Sequence, residues 1–555
     1  MDRLDNAYSD SSVLVLKLAA RDSTRRLRVS IILALALASS AAACRECSAQ
    51  APAASEPLAA VTVQTRILGR EIPRDFAGFS LEVSTAGQGL SAFQGANPGS
   101  SPGAAEERPV YALGHPEAPN SGYFQFMRNL GPGVLRLGGN SQDNSCWDPT
   151  HAPEPKACEA VLTAPDLALF SQAAEVSGWR LILGLNLKQN SAAWALGEVT
   201  QGVSQEIKPD QLLGLEFGNE PDLFTRTPYR PKTYSPADQV KDFLGYFQAF
   251  RSDPVAKSYA VVGPATCCAW RNARDLGTFM DGVGARGLKL VTVHNYPLTT
   301  CNGRTVTLDQ LLAPELMDRY NQQVKPLVAG ADERGLPIAL AETNSASCGG
   351  MPGVSNAFAA ALWGLDYMFS SAQDGFSMIN FHSSYRPGGS SYNPVDTYGR
   401  EDASHHWEYR NIAQPLYYGM YLFARYASGN HLLTASIETR SNIRAYAVTP
   451  CATCAVNVFV INEDLHASGQ VRVRVEDRQG RASLLLLNGP SLSARAPDVR
   501  LGGVQFDSQG NLPAPQESSL QPDAQGNYTF ALPNSSAALL TVETALNSVP
   551  AAKIH

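Results

Sequence analysis

Two short segments place a glutamate where a buried strand should end. In Leu212-Leu-Gly-Leu-Glu-Phe-Gly-Asn-Glu-Pro-Asp222, Asn219 and Glu220 follow an apolar run and Pro221 stops it. In Pro337-Ile-Ala-Leu-Ala-Glu-Thr-Asn344, Glu342 closes an otherwise apolar stretch. A carboxylate there is costly unless it has a partner or a task. Taken singly, each has a bland reading, a helix-initiating Asn-Glu-Pro turn and a capping glutamate. Taken together, two carboxyls facing one cleft can cleave an acetal. One, its pKa raised, protonates the leaving oxygen, and the other, ionised, attacks the anomeric carbon. A separation of roughly 5–5.5 Å would give retention of configuration.

Both glutamates depend on the strands that carry them. From about 76 to 430 the chain alternates apolar runs with longer amphipathic segments. The runs are 76–84, 134–139, 181–187, 212–220, 259–265, 288–296, 338–343 and 376–382, bounded by Gly, Pro or Asn. That texture predicts strands buried on both faces. Between them 236–250 sets Val240, Phe243, Leu244, Phe247 and Phe250 at helical spacing, and further helices are expected over 308–329, 356–373 and 412–428. Strands followed by helices predict an α/β fold, a (β/α)8 TIM barrel, with the side chains at strand C-termini facing one mouth. A doubly wound sheet is the alternative, but no phosphate-binding glycine loop follows an early strand. Beyond 430 the runs 443–448, 456–461, 471–475, 482–487 and 537–542 predict a C-terminal antiparallel β-sandwich, 431–548, which the N-terminal segment 61–75 joins.

The chain has 555 residues with 44 Lys and Arg against 51 Asp and Glu, a net charge of −7. A nucleic-acid partner would call for a basic excess and is not expected. Arg21 to Arg28, an apolar run over 31–38 and small residues over 39–43 have the pattern of a secretory signal, 1–44, followed by a linker, 45–60. Export to the periplasm, outer membrane or medium is expected. Cys44 after three alanines resembles a lipoprotein box, which makes a lipid anchor through Cys44 the alternative to simple cleavage. Export favours disulfides among the ten cysteines over zinc: Cys146 with Cys158, Cys451 with Cys454, and Cys267 and Cys268 with Cys301 and Cys348. His405-His406 lacks the further ligands of a metal site, and no G-x-S-x-G occurs, so neither a metal nor a cofactor is assigned. Trp147, Trp270 and Trp407 are candidate sugar-stacking residues whose ordinary reading is packing.

The two strand ends resemble glycoside hydrolase clan A, and the wider pattern resembles its family 79, the β-glucuronidases and heparanases. The matching pieces are Gly78-Phe-Ser-Leu-Glu-Val-Ser84, Leu135-Arg-Leu-Gly-Gly-Asn-Ser141, Gly218-Asn-Glu-Pro-Asp222, His294-Asn-Tyr-Pro297, Ala341-Glu-Thr-Asn-Ser345, Phe381-His382 and Tyr392-Asn-Pro-Val395. The resemblance implies a retaining, exo-acting β-glucuronidase with Glu220 as acid/base and Glu342 as nucleophile. It also implies Glu82, Asn140 and Asn219 on sugar hydroxyls, Tyr296 beside Glu342, and Tyr392 as a donor to the uronate. Where β-glucuronidases of the family often carry a tyrosine after the nucleophile, this chain has Ser345-Ala-Ser-Cys-Gly-Gly350, leaving the Gly349 and Gly350 amides as alternative donors. The competing readings are an endo-acting heparanase-like hydrolase, another clan A β-glycosidase, and a catalytically dead carbohydrate-binding protein. The site segments are not rich in Lys or Arg, which favours small or unsulfated substrates over a sulfated polymer.

Overall fold

The computed structural model describes residues 56–87, 108–147, 160–226, 229–284, 287–384, 390–402, 404 and 406–544. The expected signal segment with Cys44, most of the linker, Cys158 and His405 lie outside the described residues.

Eight parallel strands close into a barrel: Ala77–Glu82, Val134–Gly138, Arg180–Leu185, Leu212–Phe217, Val261–Thr266, Leu290–Asn295, Ile338–Thr343 and Met378–Ser383. The first pairs in parallel with both the second and the eighth, which closes the ring. Each strand falls within or overlaps an apolar run of the sequence. At the N-terminal base, Val134, Ile182, Leu213, Val262, Leu290, Ala339 and Met378 form a small cluster of their own. Above this plug the interior turns polar.

The outer helices form for local reasons. Pro236–Ser252 opens with proline in its first turn, and Ser235 and Asp238 cap one another's backbone N–H groups. The single helix expected over 308–329 is instead two, Leu308–Leu311 and Pro314–Asp332. Pro314 cannot continue the first helix but suits the first turn of the next. Helix Phe358–Asp374 is buried around nearly its whole circumference. It lies between barrel and sandwich, and its Phe369 ring stacks on Tyr446 at 4.5 Å and meets Phe459 at 4.7 Å.

The C-terminal strands form a bent antiparallel assembly. Strand His431–Thr439 pairs through its first residues with Ile443–Thr449 and through the rest with Ala59–Gln64, so it turns from one sheet into the other. Ala59–Gln64 also pairs in parallel with Gly469–Val475. The N-terminal strand is thus built into the sandwich. A second core, including Val61, Val458, Val473, Tyr528 and Leu540, fills the space between the sheets. Strands His431–Thr439 and Asn527–Leu532 are not marked in the sequence reading, because polar residues interrupt their apolar pattern.

Candidate active site

The C-terminal mouth of the barrel opens into a cleft of about 1120 Å³. Glu82, Asn140, Glu220, Tyr296, Glu342 and Tyr392 all line it. Asn219 stands just behind, buried, with its Nδ2 3.5 Å from Asn140 Oδ1.

The site is organised by a residue to which the sequence reading gave no role. Arg136, on the second barrel strand, has no exposed side-chain surface. Its Nε donates to Glu216 at 2.7 Å, Nη1 to Glu342 at 2.9 Å and to Ser80 at 3.2 Å, and Nη2 to Asn219 Oδ1 at 2.9 Å. Burial alone would lower its pKa, but Glu216 and Glu342 outweigh that and hold the guanidinium charged. Glu216 receives a further hydrogen bond from Thr292 at 2.7 Å. A signal for this pair lies in the sequence. Arg136 and Glu216 are opposite charges inside apolar strands, where an ion must find a partner.

Glu342 ends the seventh strand. Tyr296 donates to its Oε1 at 2.9 Å, Arg136 holds Oε2, and His382 Nδ1 lies 3.8 Å from Oε2. Burial pushes the carboxyl up. The charges of His382 and Arg136, with the Tyr296 hydroxyl, outweigh it and hold Glu342 at about 2. Glu220 stands in the turn after the fourth strand, with a left-handed backbone at φ 50°. Its N–H donates to Ala265 O at 2.9 Å, its C=O accepts from Leu223 N–H at 2.8 Å, and Pro221 follows. Burial and the negative charge of Glu342, then Asp222, push its carboxyl well above the ordinary value. One oxygen each of Glu220 and Glu342 and a ring nitrogen of His294 lie within 4.8 Å of one another. A cation at that spot would sit against the Arg136 guanidinium, so like-charge repulsion disfavours a metal ion there.

His294 fixes which oxygen of Glu220 is free. Burial lowers the ring to about 4, so it is neutral. Nε2 is buried without a partner, and Nδ1 lies 3.1 Å from Glu220 Oε1. An orphan lone pair costs less than an orphan N–H, which assigns the proton to Nδ1. Nδ1 then donates to Oε1 and leaves Oε2 to carry the carboxyl proton.

Two glycines make room. A Cβ at Gly138 would meet the Arg136 guanidinium carbon at 2.8 Å, and one at Gly139, whose φ is +75°, would meet the Glu82 carboxyl at 2.5 Å. Glu82 accepts from the N–H groups of Asn140 at 3.2 Å and Ser141 at 2.8 Å. Although burial raises its pKa, His382 and these hydrogen bonds bring it below the ordinary value. The Asn219 N–H donates to Asp143 at 2.7 Å. Asp222 receives the N–H groups of Cys268 and Ala269, each at 2.7 Å.

The cysteine pairing differs from the expectation. Cys301 bonds to Cys348, joining the loops after the sixth and seventh strands, and Cys267 bonds to its neighbour Cys268. Contact between neighbouring rim loops decides the Cys301–Cys348 pair, which leaves Cys267 and Cys268 to bond to each other within one loop. Cys451–Cys454 forms as expected, and Cys146 is disulfide-bonded. Gly349 and Gly350 do not line the cleft, whereas Cys348 does. Of the candidate stacking residues none lines it: Trp270 packs on Tyr234, Trp407 stacks on Tyr409, and Trp147 faces a separate cavity. Three arginines do line it, Arg226, Arg271 and Arg304, on the loops after the fourth, fifth and sixth strands. Scattered in sequence, they are gathered only by the fold.

No family model matches the chain. It is 27% identical over 327 residues to a β-glucuronidase of Neurospora crassa, a match covering 52% of this chain and 57% of that one. It is 24% identical over 493 residues to a heparanase of Gallus gallus, covering 78% of this chain and 88% of that one. A 4-O-α-L-rhamnosyl-β-D-glucuronidase from Fusarium oxysporum has the same fold, with a TM-score of 0.67 at 17% identity over 86% of this chain and 100% of that one. Barrel, paired carboxyls and relatives together define a glycoside hydrolase. Within that class the chain is similar to the β-glucuronidases and heparanases.

Replacing Arg136 by Met leaves Glu216 and Glu342 buried without their countercharge. We expect a loss of about 3–5 kcal/mol in urea unfolding. Since Glu342 is held at about 2 against an ordinary 4.5, its own stabilisation is present above 4.5 and fades as pH falls towards 2. An Arg136→Met chain as stable as wild type would show that the carboxyls find other partners.

Proposed function

We propose that the chain is a retaining, exo-acting β-glucuronidase that works by double displacement. The observation that carries this reading is the pair Glu220 and Glu342, with carboxyl oxygens within 4.8 Å and opposite protonation states. That spacing supports direct attack, because an inverting pair needs roughly 6.5–9.5 Å for a water. Glu342, ionised, attacks C1 while Glu220 passes its Oε2 proton to the departing oxygen, and a glycosyl-enzyme forms. Its negative charge is then spent in the ester, so the repulsion that raised Glu220 falls. Glu220, now a carboxylate, takes a proton from water, and the water attacks C1. The sugar leaves with β configuration, and both carboxyls return to their starting states.

In the −1 subsite Glu82, Asn140 and Asn219 hold ring hydroxyls. Tyr296 aims Glu342: burial and the Glu342 charge keep its phenol protonated, hence a donor. Tyr392 and Ser384, both on the cleft wall, offer O–H groups to the uronate carboxylate. Export fits the N-terminal pattern, ended by cleavage or by a lipid on Cys44, and the disulfides support an oxidising compartment. Among the described residues no helix is long and apolar enough to cross a membrane.

A second reading, an acidic glycan as substrate, draws on the arginines. Arg226 and Arg304 are exposed on the acid/base side, where the leaving group must lie. They would hold sulfate or carboxylate groups of the aglycone.

Glu342→Gln should remain folded and lose at least about 10³-fold in kcat on an aryl β-D-glucuronide, above roughly 4 kcal/mol of barrier. Unchanged turnover sinks the assignment. Glu220→Gln should slow a poor leaving group far more than an activated aryl one, because only the former needs the proton. It should also abolish the alkaline limb of the pH–rate profile, which in wild type lies well above the ordinary carboxylate range. For the second reading, Arg226→Ala with Arg304→Ala should raise KM about tenfold for a sulfated oligosaccharide, less so in high salt, and leave the aryl glucuronide unaffected. Equal effects on both substrates would remove the acidic-aglycone reading.

A further inference from the structure

A second, smaller cavity of about 250 Å³ has Trp147, Trp194, Glu198, Gln201 and Asn186 in its wall, with Ser145 at its edge. Ser145 follows the second barrel strand and Asn186 the third, so the cavity shares the rim that carries the catalytic cleft. The turn bearing Asn140 runs directly into this wall. Ser145 Oγ donates to Ser141 O at 2.7 Å, and Asn186 Nδ2 donates to the backbone oxygens of Asp143 and Ser145, each at 2.9 Å. The disulfide at Cys146 fixes the same strip. The wall is therefore pre-formed, as small-molecule sites usually are.

Glu198 is the feature that packing does not explain. It is 6% exposed, lines the cavity, and its Oε1 has no hydrogen-bond partner. Leaving such a group unpaired costs free energy that an apolar residue of similar volume would recover. Among the described residues it is the only ionisable side chain in the wall, and burial pushes its carboxyl up to about 8, so at neutral pH it is chiefly a neutral acid. It stands immediately before the π-helical turn Val199–Val203, and such widened turns recur at functional positions. Trp194 beside it is 40% exposed, an unusual state for that side chain.

We infer that this cavity is a second sugar site, taking one neutral pyranose unit with its ring faces on Trp147 and Trp194 and its hydroxyls on Glu198 and Gln201. The apolar C–H face of a pyranose suits an indole. A neutral carboxyl offers one donor and one acceptor, which matches adjacent hydroxyls. Among the described residues an acidic sugar would find no cation in the wall, and a cationic ligand would have to drive the proton off Glu198. The volume suits one ring rather than two. That the ligand is a unit of a glycan rests on the hydrolase reading above; binding itself is measurable without turnover.

The test is calorimetry and tryptophan fluorescence of the full chain with methyl β-D-glucopyranoside, methyl β-D-xylopyranoside and N-acetyl-D-glucosamine, with choline as a cationic comparison. We expect saturable millimolar binding of at least one pyranoside. Glu198→Leu and Trp194→Ala should each weaken it about tenfold, while turnover of an aryl β-glucuronide stays within about twofold of wild type. Glu198→Leu should also melt higher, since it removes an unpaired buried carboxyl. If that variant does not fold, Trp194→Ala decides. No binding by any of the three sugars, binding unaffected by the variants, or preferred binding of choline overturns the proposal. A chain that binds pyranoside through Trp194 yet hydrolyses no glycoside would instead count against the hydrolase reading.

Discussion

A guanidinium sealed inside a protein must be compensated, and at Arg136 the compensation is the framework of the active site. From the second strand it reaches Ser80 on the first, Glu216 on the fourth, Glu342 on the seventh and Asn219 in the turn beyond the fourth. A planar fork with fixed N–H directions can tie several elements at once, which a lysine's single point charge would not do. Gly138 leaves the space the fork occupies. The same contacts are mechanical and electrostatic. They close the upper barrel, where apolar side chains give way to polar ones, and they supply positive charge beside the oxygen of Glu342.

The two rim glutamates have the same chemistry and differ only in surroundings. Glu342 meets two cationic neighbours and a phenol donor. Glu220 meets a neutral imidazole and the charges of Glu342 and Asp222. Each state supports the other: ionised Glu342 raises Glu220, and protonated Glu220 adds no charge to oppose Glu342. The left-handed backbone at Glu220 belongs to this arrangement. A residue with a Cβ is held there because Ala265, Leu223 and Pro221 determine the turn from three sides.

The barrel was legible because its strands are buried on both faces, and such strands leave unbroken apolar runs that composition alone marks. The two glutamates were legible for the same reason, as charges at the ends of those runs. Arg136 and Glu216 carried the same signal within their runs, yet their pairing joins strands whose separation in sequence says nothing of their adjacency. His294 and His382 sat in recognisable motifs, but whether each ring is neutral or charged depends on which carboxyls face it. Cys451 and Cys454 pair as their spacing suggests, but the pairing among Cys267, Cys268, Cys301 and Cys348 was not legible, because it depends on which rim loops meet in space. Strands His431–Thr439 and Asn527–Leu532, each with one face wet, broke the apolar pattern on which the reading relied.

The cleft divides into halves of different construction. On the side of the first, second, seventh and eighth strands, strand ends and short turns set Glu82, Asn140, Glu342 and His382, and hydrogen bonds fix most of them before any ligand arrives. On the side of the fourth, fifth and sixth strands the wall is loop, carrying Arg226, Arg271 and Arg304 and braced by Cys267–Cys268 and Cys301–Cys348. Loops have few core contacts to hold them, so covalent bridges and the Asp222 clamp take over the work that strand pairing does opposite. The division follows the reaction. On the proposed mechanism, the half that holds the sugar at C1 needs precise placement and is built on the barrel itself. The loop residues Arg226, Arg271 and Arg304 need only contact the departing group, whereas Glu220, Asn219 and Tyr296 on the same side are held by the contacts of His294, Arg136 and Glu342.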